Sequence, residues 1–127
     1  MSSNFVPLTA KELVARINKI PRVNLAQLPT ALEFAPNISK ELNINLYIKR
    51  DDCTALAFGG NKTRHLEFIM AKILSGDYDC ILTGAASQSN FCRQAVAAAN
   101  KLNLDSYLVL MHGIKGRLMQ GNFLLYN

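Results

Sequence analysis

The sequence predicts an α/β protein with a parallel, twisted sheet flanked by helices. Short apolar segments typical of strands alternate along the chain with longer amphipathic segments typical of helices. Glycines and asparagines, which commonly end such elements, lie between them. Of the 127 residues, 50% are hydrophobic and 18% are charged, which is the composition of a chain that folds around a core.

Composition also limits the class of protein. No apolar run approaches the roughly 20 residues needed to cross a bilayer, and the N-terminus lacks the pattern of a secretory signal. Cys53, Cys80 and Cys92 include no CxxC pair, so we expect neither disulfides nor a metal site, and the cytoplasm is the predicted location. The formal charge of +5 comes from scattered basic residues, whereas nucleic-acid binding requires clustered ones.

The N-terminal third is predicted to hold two short helices joined by an extended segment. Thr9 and Glu12 form a capping-box pattern that starts the first helix, and Pro21 is expected to close it. Residues 22–34 show little periodicity and are interpreted as an extended crossing segment. Residues 36–42 are predicted to form the second helix, because proline is favoured near a helix start.

The centre of the chain contains the clearest helix signal. Residues 45–49 are predicted to form a strand and residues 51–60 a loop. After Lys62, apolar residues recur with the spacing of one helical face, and Gly76 ends the pattern. The apolar residues on this face are Leu66, Ile69, Met70, Ile73 and Leu74.

The remaining elements complete a strand–helix–strand pattern. Residues 80–83 and 107–111 are predicted strands, with a small-residue loop from Ala85 to Ser89 and an alanine-rich helix over 90–102 capped by Ser89 or Asn90. A turn is predicted at 113–116. About three strands result, against a typical sheet of about five or six. The sequence therefore predicts the front of a larger protein, incomplete at its C-terminal end.

Lys62 is the first candidate for chemistry. It lies in Gly59–Arg64, where two glycines and the helix-capping residue type Asn61 precede it. A phosphate-binding P-loop is excluded, because that motif requires glycine directly before the lysine. The helix macrodipole disfavours an ammonium in the first turn, so this placement suits an amine that reacts in its neutral form. A helix start with an incidental lysine is the alternative interpretation.

The loop from Gly84 to Asn90 is the second candidate. It follows a strand and opens a helix, a position at which anions bind in parallel α/β proteins. It lacks GxGxxG, so a dinucleotide is not indicated, whereas a carboxylate would suit it, with Gln88 and Ser89 donating hydrogen bonds. An ordinary N-cap is the alternative for Ser89. Arg93 and Gln94 are predicted to pack or bridge rather than to catalyse.

Together these segments resemble the 1-aminocyclopropane-1-carboxylate deaminase and D-cysteine desulfhydrase family. These are fold-type II, tryptophan-synthase-β-like enzymes that use pyridoxal 5'-phosphate. The resemblance is carried by residues 57–64 with 49–53 before them, and by Gln88-Ser89-Asn90 with Arg93 and Gln94 after it. It extends from about Arg22 to the C-terminus.

The resemblance implies a division of the chain. Residues 1–78 would form the front of the large cofactor domain, including the helix with the Schiff-base lysine, and residues 79–127 the first half of the small domain. The family's glycine-rich phosphate loop, late tyrosine and pyridine-nitrogen partner are absent from this sequence. The full-length relative is expected to be a homodimer.

The resemblance also implies residue roles. Lys62 would hold the cofactor as a Schiff base and then act as the proton-transfer base. Asn90 would bind the cofactor's phenolic oxygen, while Ser89 would meet the substrate carboxylate with Gln88 and have a catalytic part. His65 stands where the family commonly has a lysine near the phosphate, and Phe91 where it commonly has histidine.

The implied substrate is a small amino acid. D-cysteine, giving pyruvate, ammonia and hydrogen sulfide, is preferred over the cyclopropane amino acid because ring opening is the narrower specialisation. A non-catalytic, truncated remnant of such an enzyme is the alternative from another class.

Overall fold

The computed structural model describes residues 7–113 and 119–126. Helices and strands alternate along them as predicted. The helices are α1 (Ala10–Ile17), α2 (Pro36–Leu42), α3 (Lys62–Leu74) and α4 (Asn90–Lys101), and the strands are β1 (Leu32–Phe34), β2 (Tyr47–Lys49), β3 (Cys80–Ala86) and β4 (Asp105–Met111). Short 3₁₀ turns cover Asp51–Thr54, Leu56–Phe58 and Gly121–Tyr126. Most of the turn predicted at 113–116 lies outside the described residues.

The described strands form two pairs rather than one sheet. β3 and β4 are parallel, in a register that runs from Cys80 opposite Asp105 to Ala86 opposite Met111, and α4 connects them. β2 instead pairs antiparallel with β1, which lies at the end of the segment 22–34 that was predicted to be extended. The parallel arrangement is confirmed for β3 and β4, whereas the expectation that the 45–49 strand joins them was wrong. Strands of three residues are too short to display the alternation that indicates a partner.

Two boundaries also differ from the prediction. β3 continues through Gly84 to Ala86, where a loop was expected. Glycine permits this pairing, because a Cβ atom at residue 84 would lie 2.3 Å from the carbonyl oxygen of Val109. The capping box of α1 is present as predicted, but the helix ends at Ile17, ahead of Pro21.

The core lies between α3, α4 and one face of the β3–β4 pair. Leu66 and Met70 on α3 are each 1% exposed, as their spacing predicted, whereas Leu74 is 45% exposed at the end of the helix. Small residues of α4 pack opposite them, and Ile81 closes the cluster from β3. Within the described part of the chain, no element covers the opposite face of the strand pair, where four side chains are more than half exposed: Leu82, Tyr107, Val109 and Met111.

Glu67 anchors the crossing segment to α3. Its Oε1 atom accepts hydrogen bonds from the backbone N–H groups of Leu25 and Ala26, each at 2.9 Å. Its carboxylate is buried, and the Nε atom of the more exposed Arg22 lies 3.5 Å from Oε2. The next residue after Ala26, Gln27, donates its N–H to the carbonyl of Thr54. The crossing segment therefore supports the loop that precedes Lys62.

Within the described residues, no helix combines the length and the apolar character that a membrane span requires. The same residues contain no cluster of three or more His, Cys, Asp or Glu side chains suited to holding a metal ion.

Candidate functional site

The loop that leads into α3 meets the start of α4 at the carbonyl oxygen of Gly59. This oxygen accepts hydrogen bonds from Nη2 of Arg93 at 3.0 Å and from Nε2 of Gln94 at 3.1 Å. The predicted bridging role of these two residues is confirmed. Since the positive ends of both helix dipoles converge here, the junction favours negative charge.

A buried polar network supports the junction. The side chains of Thr54, Thr63 and Gln94 belong to residues that are 0% exposed. The Gly60 N–H donates to Oγ1 of Thr54 at 2.9 Å, and Oγ1 of Thr63 donates to Oε1 of Gln94 at 2.7 Å. The sequence interpretation missed both threonines, because a single polar residue beside a loop carries no periodic signal.

The loop before Lys62 has an unusual backbone. Gly59 has φ +72°, and a Cβ atom there would lie 1.8 Å from the carbonyl oxygen of Asp52. Gly60 has φ +134°, and its Cβ would lie 2.4 Å from Nε2 of Gln94. Three non-glycine residues nearby also have positive φ: Ala55, Ala57 and Phe58. Such conformations are costly and cluster at functional sites.

Ion pairs fix the same loop from its other end. Arg64 donates to Asp51 through Nη2 at 2.8 Å and through Nε at 3.0 Å, and its Nη2 also reaches Oγ1 of Thr30 at 2.9 Å. These hydrogen bonds hold the pKa of Asp51 below its ordinary value. Arg50 likewise lowers the pKa of Asp52 to about 2 by hydrogen bonding.

Lys62 opens α3 beside the junction, with its residue partly buried. Among the described residues, its Nζ atom makes no hydrogen bond and no ion pair. Asn61 does not cap the helix with its side chain, contrary to expectation. Its backbone is already helical, and the carbonyl of Gly60 accepts the Thr63 N–H, so the first turn begins before Asn61 can act as a cap.

Ser89 is the N-cap of α4, since its Oγ atom accepts the Cys92 N–H at 3.2 Å. The capping prediction is confirmed. Asn90, the first residue of the helix, is exposed. Its Oδ1 atom accepts a hydrogen bond from Nδ2 of Asn122 at 2.8 Å, while its own Nδ2 has no partner within the part of the chain that the structure describes.

The C-terminal turn, Gly121–Tyr126, lies against this loop. Nε2 of Gln88 donates to the carbonyl of Gln120 at 2.9 Å, and Oε1 of Gln88 accepts the Asn122 N–H at 2.9 Å. The Tyr126 hydroxyl donates to the carbonyl of Ser89 at 2.7 Å. Burial raises the pKa of this phenol. The sequence interpretation did not foresee these contacts, because they join segments more than thirty residues apart.

His65 lies apart from the hydrogen bonds at Gly59. It is exposed on α3 and lines an apolar groove of about 430 Å³. The groove's other lining residues include Pro21, Phe68 and Ile69. The structure therefore groups Lys62 with the junction of the two helices, and Gln88, Ser89 and Asn90 with the C-terminal turn.

Comparison with known proteins identifies the family. Residues 23–122 match the family model described as "Pyridoxal-phosphate dependent enzyme". The D-cysteine desulfhydrase of Salmonella paratyphi C is 43% identical over 113 residues, which are 86% of this chain and 34% of that protein. A Pyrococcus horikoshii protein, named provisionally as a 1-aminocyclopropane-1-carboxylate deaminase, is 42% identical over 115 residues, which are 90% of this chain and 34% of that protein.

A crystal structure of an "ACC deaminase homologue" superposes with a TM-score of 0.82 at 41% identity, covering 92% of this chain and 35% of that one. The fold-type II class and the resemblance to the front part of these proteins are confirmed. The chain spans about a third of the length of the relatives it matches. It belongs to the pyridoxal-phosphate-dependent enzyme family.

Proposed function

We propose that this chain is the N-terminal, cofactor-holding portion of a pyridoxal-phosphate-dependent lyase or deaminase that acts on a small amino acid. The observation that carries the proposal is the unpartnered amine of Lys62 beside the junction of two helix N-termini. Residues 1–78 and 79–127 would belong to the large and small domains of the full-length enzyme, a cytoplasmic homodimer.

The residues present fit the reactive end of the cofactor. An aldehyde requires a free amine, which Lys62 supplies. A phenolic oxygen requires a donor, and Nδ2 of Asn90 is unused by the described residues. The strained loop and the buried network around Thr63 fix the backbone from which Lys62 projects. His65, exposed on α3 three residues after Lys62, is the proposed donor to the phosphate group.

Side chains of this chain would move the proton and bind the substrate. When bound, pyridoxal phosphate stores the negative charge left on the substrate after its α-proton departs. The amine of Lys62 would accept that proton. Ser89 uses its oxygen as a cap acceptor, so its hydroxyl proton is available to a substrate carboxylate. Gln88 uses one Nε2 hydrogen on Gln120, and its second would donate to the same carboxylate.

D-cysteine is the preferred substrate. Its conversion with one water gives pyruvate, ammonia and hydrogen sulfide, and a relative named D-cysteine desulfhydrase is 43% identical to this chain. Deamination of the cyclopropane amino acid to 2-oxobutyrate is the second candidate, since it is favoured by the 42% identity to the Pyrococcus protein. A non-catalytic chain is the third, because about two thirds of the relatives' length has no counterpart here.

Covalent capture tests the role of Lys62. The purified chain is incubated with pyridoxal phosphate, reduced with borohydride, digested and examined by mass spectrometry. We expect a yellow solution and preferential pyridoxyl labelling of Lys62 over Lys72, an exposed lysine at the other end of the same helix. Equal labelling of the two lysines, or colour that survives Lys62→Ala, would contradict the proposal.

Product analysis separates the three candidates. The chain loaded with the cofactor is given D-cysteine or the cyclopropane amino acid, and hydrogen sulfide and 2-oxobutyrate are measured. Sulfide release that disappears in Lys62→Ala supports the desulfhydrase, and oxobutyrate release supports the deaminase. Labelling of Lys62 without either product identifies a chain that holds the cofactor and does not turn over.

A further inference from the structure

We propose that Asn122 is a positioning residue that fixes the side-chain amide of Asn90 with its donor end toward the cofactor. This inference rests on the proposed function, because it concerns the group that would bind the cofactor's phenolic oxygen. Its basis is a set of hydrogen bonds between the C-terminal turn and the loop before α4, in which backbone groups orient the amides of Gln88 and Asn122, and Asn122 in turn orients Asn90.

The side-chain amide of Gln88 has one possible orientation. Its side chain lies between the Gln120 carbonyl, which can only accept, and the Asn122 N–H, which can only donate. The nitrogen of the amide must therefore face Gln120 and the oxygen must face Asn122, each at 2.9 Å. This approach needs glycine at 121, where φ is +55° and a Cβ atom would lie 2.6 Å from Oε1 of Gln88.

A backbone carbonyl also determines the orientation of Asn122. Its side-chain amide lies 2.8 Å from the backbone carbonyl of Gln88, which again can only accept. The atom at that position must be the Nδ2 donor. The same Nδ2 atom lies 2.8 Å from the side chain of Asn90, so Asn90 must present its Oδ1 oxygen there.

The orientation of Asn122 determines which end of the Asn90 amide is left for a ligand. With Oδ1 held by Asn122, the Nδ2 donor of Asn90 is not used by that contact and has no partner among the described residues. A donor at this place suits an acceptor oxygen such as the phenolate of pyridoxal phosphate. A hydrogen bond to the charged form of an acid lowers its pKa, so the fixed donor would keep the phenol ionised to lower pH.

Replacing the donor of Asn122 by an acceptor reverses the arrangement. In Asn122→Asp, the new carboxylate would attract the Nδ2 end of Asn90, and the amide would present its oxygen to the cofactor instead. We expect pyridoxal phosphate to bind about tenfold more weakly and the pH midpoint of its visible absorption band to rise. Asn122→Ala removes the restraint without reversing it, so its shifts should be smaller and of the same sign.

The experiment compares the full 127-residue chain as wild type, Asn122→Asp, Asn122→Ala and Asn37→Asp. Asn37→Asp makes the same change of charge on an exposed residue in the first turn of α2, and both measurements should stay at their wild-type values. Circular dichroism verifies the fold of each variant. If Asn122→Asp does not fold, the pH midpoint of the visible absorption band in Asn122→Ala tests the proposal instead.

Failure of this inference differs from failure of the proposed function. A wild-type chain labelled at Lys62, with affinity and pH midpoint unchanged in both Asn122 variants, overturns the positioning role alone. A wild-type chain in which Lys62 is labelled no better than Lys72 overturns the proposed function and the positioning role with it. A midpoint raised in Asn122→Asp and unmoved in Asn37→Asp supports both.

Discussion

Replacement of Glu67 should destabilise the chain in a way that separates hydrogen bonding from charge. The buried carboxylate offers one oxygen, Oε1, to two backbone N–H groups of the crossing segment, at Leu25 and Ala26. Glu67→Gln retains an oxygen for both donors and loses the charge. Glu67→Met has a side chain of similar length but neither the oxygen nor the charge, so it leaves the two N–H groups without an acceptor.

The expected magnitudes follow from burial. An unsatisfied buried N–H costs about 1–3 kcal/mol; Leu25 is 4% exposed and should approach the upper end, whereas Ala26 is partly exposed and can be reached by water. Glu67→Met should therefore lower the free energy of unfolding by about 3 kcal/mol. Glu67→Gln should cost about 1 kcal/mol, since the paired Arg22 side chain is 44% exposed and its ion pair contributes little.

Urea unfolding followed by circular dichroism measures both variants, and hydrogen exchange at the amides of Leu25 and Ala26 localises the effect. Glu41→Met is the matched control, because Glu41 is exposed near the end of α2 and its replacement should change stability by less than about 0.5 kcal/mol. Equal unfolding midpoints for Glu67→Met and Glu67→Gln, or an unchanged protection of Leu25 in Glu67→Met, would refute the reasoning.

Two further predictions concern the loop that precedes Lys62. Gly59→Ala should reduce pyridoxal phosphate labelling of Lys62 towards that of an ordinary surface lysine, because the new Cβ atom would lie 1.8 Å from the carbonyl oxygen of Asp52. Gly113→Ala is the control, since its Cβ atom would meet nothing within 4 Å, and Lys62 should be labelled normally in this variant in the same mass-spectrometric assay. The Asp51–Arg64 pair should stabilise the fold above the ordinary pKa of aspartate and lose that contribution as the pH falls through the lowered pKa of Asp51. The difference in urea midpoint between wild type and Asp51→Asn should therefore shrink as the pH falls below the ordinary pKa of aspartate, and a difference that stays constant would contradict this.

The elements that the sequence predicted best are those whose signal is periodic. The spacing of Leu66 and Met70 located α3 and its buried face, and Ser89 located the start of α4. The pairing of β1 with β2 was missed because three residues cannot display a period of two. The extension of β3 through Gly84 was missed because a glycine required for a close backbone approach is indistinguishable in sequence from a glycine that ends a strand.

The candidate site also contains residues that the sequence indicated and residues that it did not. Lys62 was identified from its position behind two glycines, and the bridging role of Gln94 was anticipated and confirmed. Thr54 was missed, although its hydroxyl contacts both the N–H and the carbonyl of Gly60. Asn122 was missed for a related reason, since its partners lie more than thirty residues earlier and only the folded chain brings them together. The roles of Lys62, His65 and the Gln88–Asn90 loop in binding remain predictions.

The contacts that position Lys62 are local to this chain, whereas the contacts that would cover its sheet are not. Gly59 and Gly60 are held by Thr54, Arg93 and Gln94, and these bonds are complete within the described residues. One face of the β3–β4 pair, in contrast, exposes Leu82 and its neighbours, although parallel strands are ordinarily covered on both faces. The position of Lys62 therefore does not depend on whether the exposed apolar face of the β3–β4 pair is covered. A chain that associates through its open sheet face would still present Lys62 at the junction of the two helices.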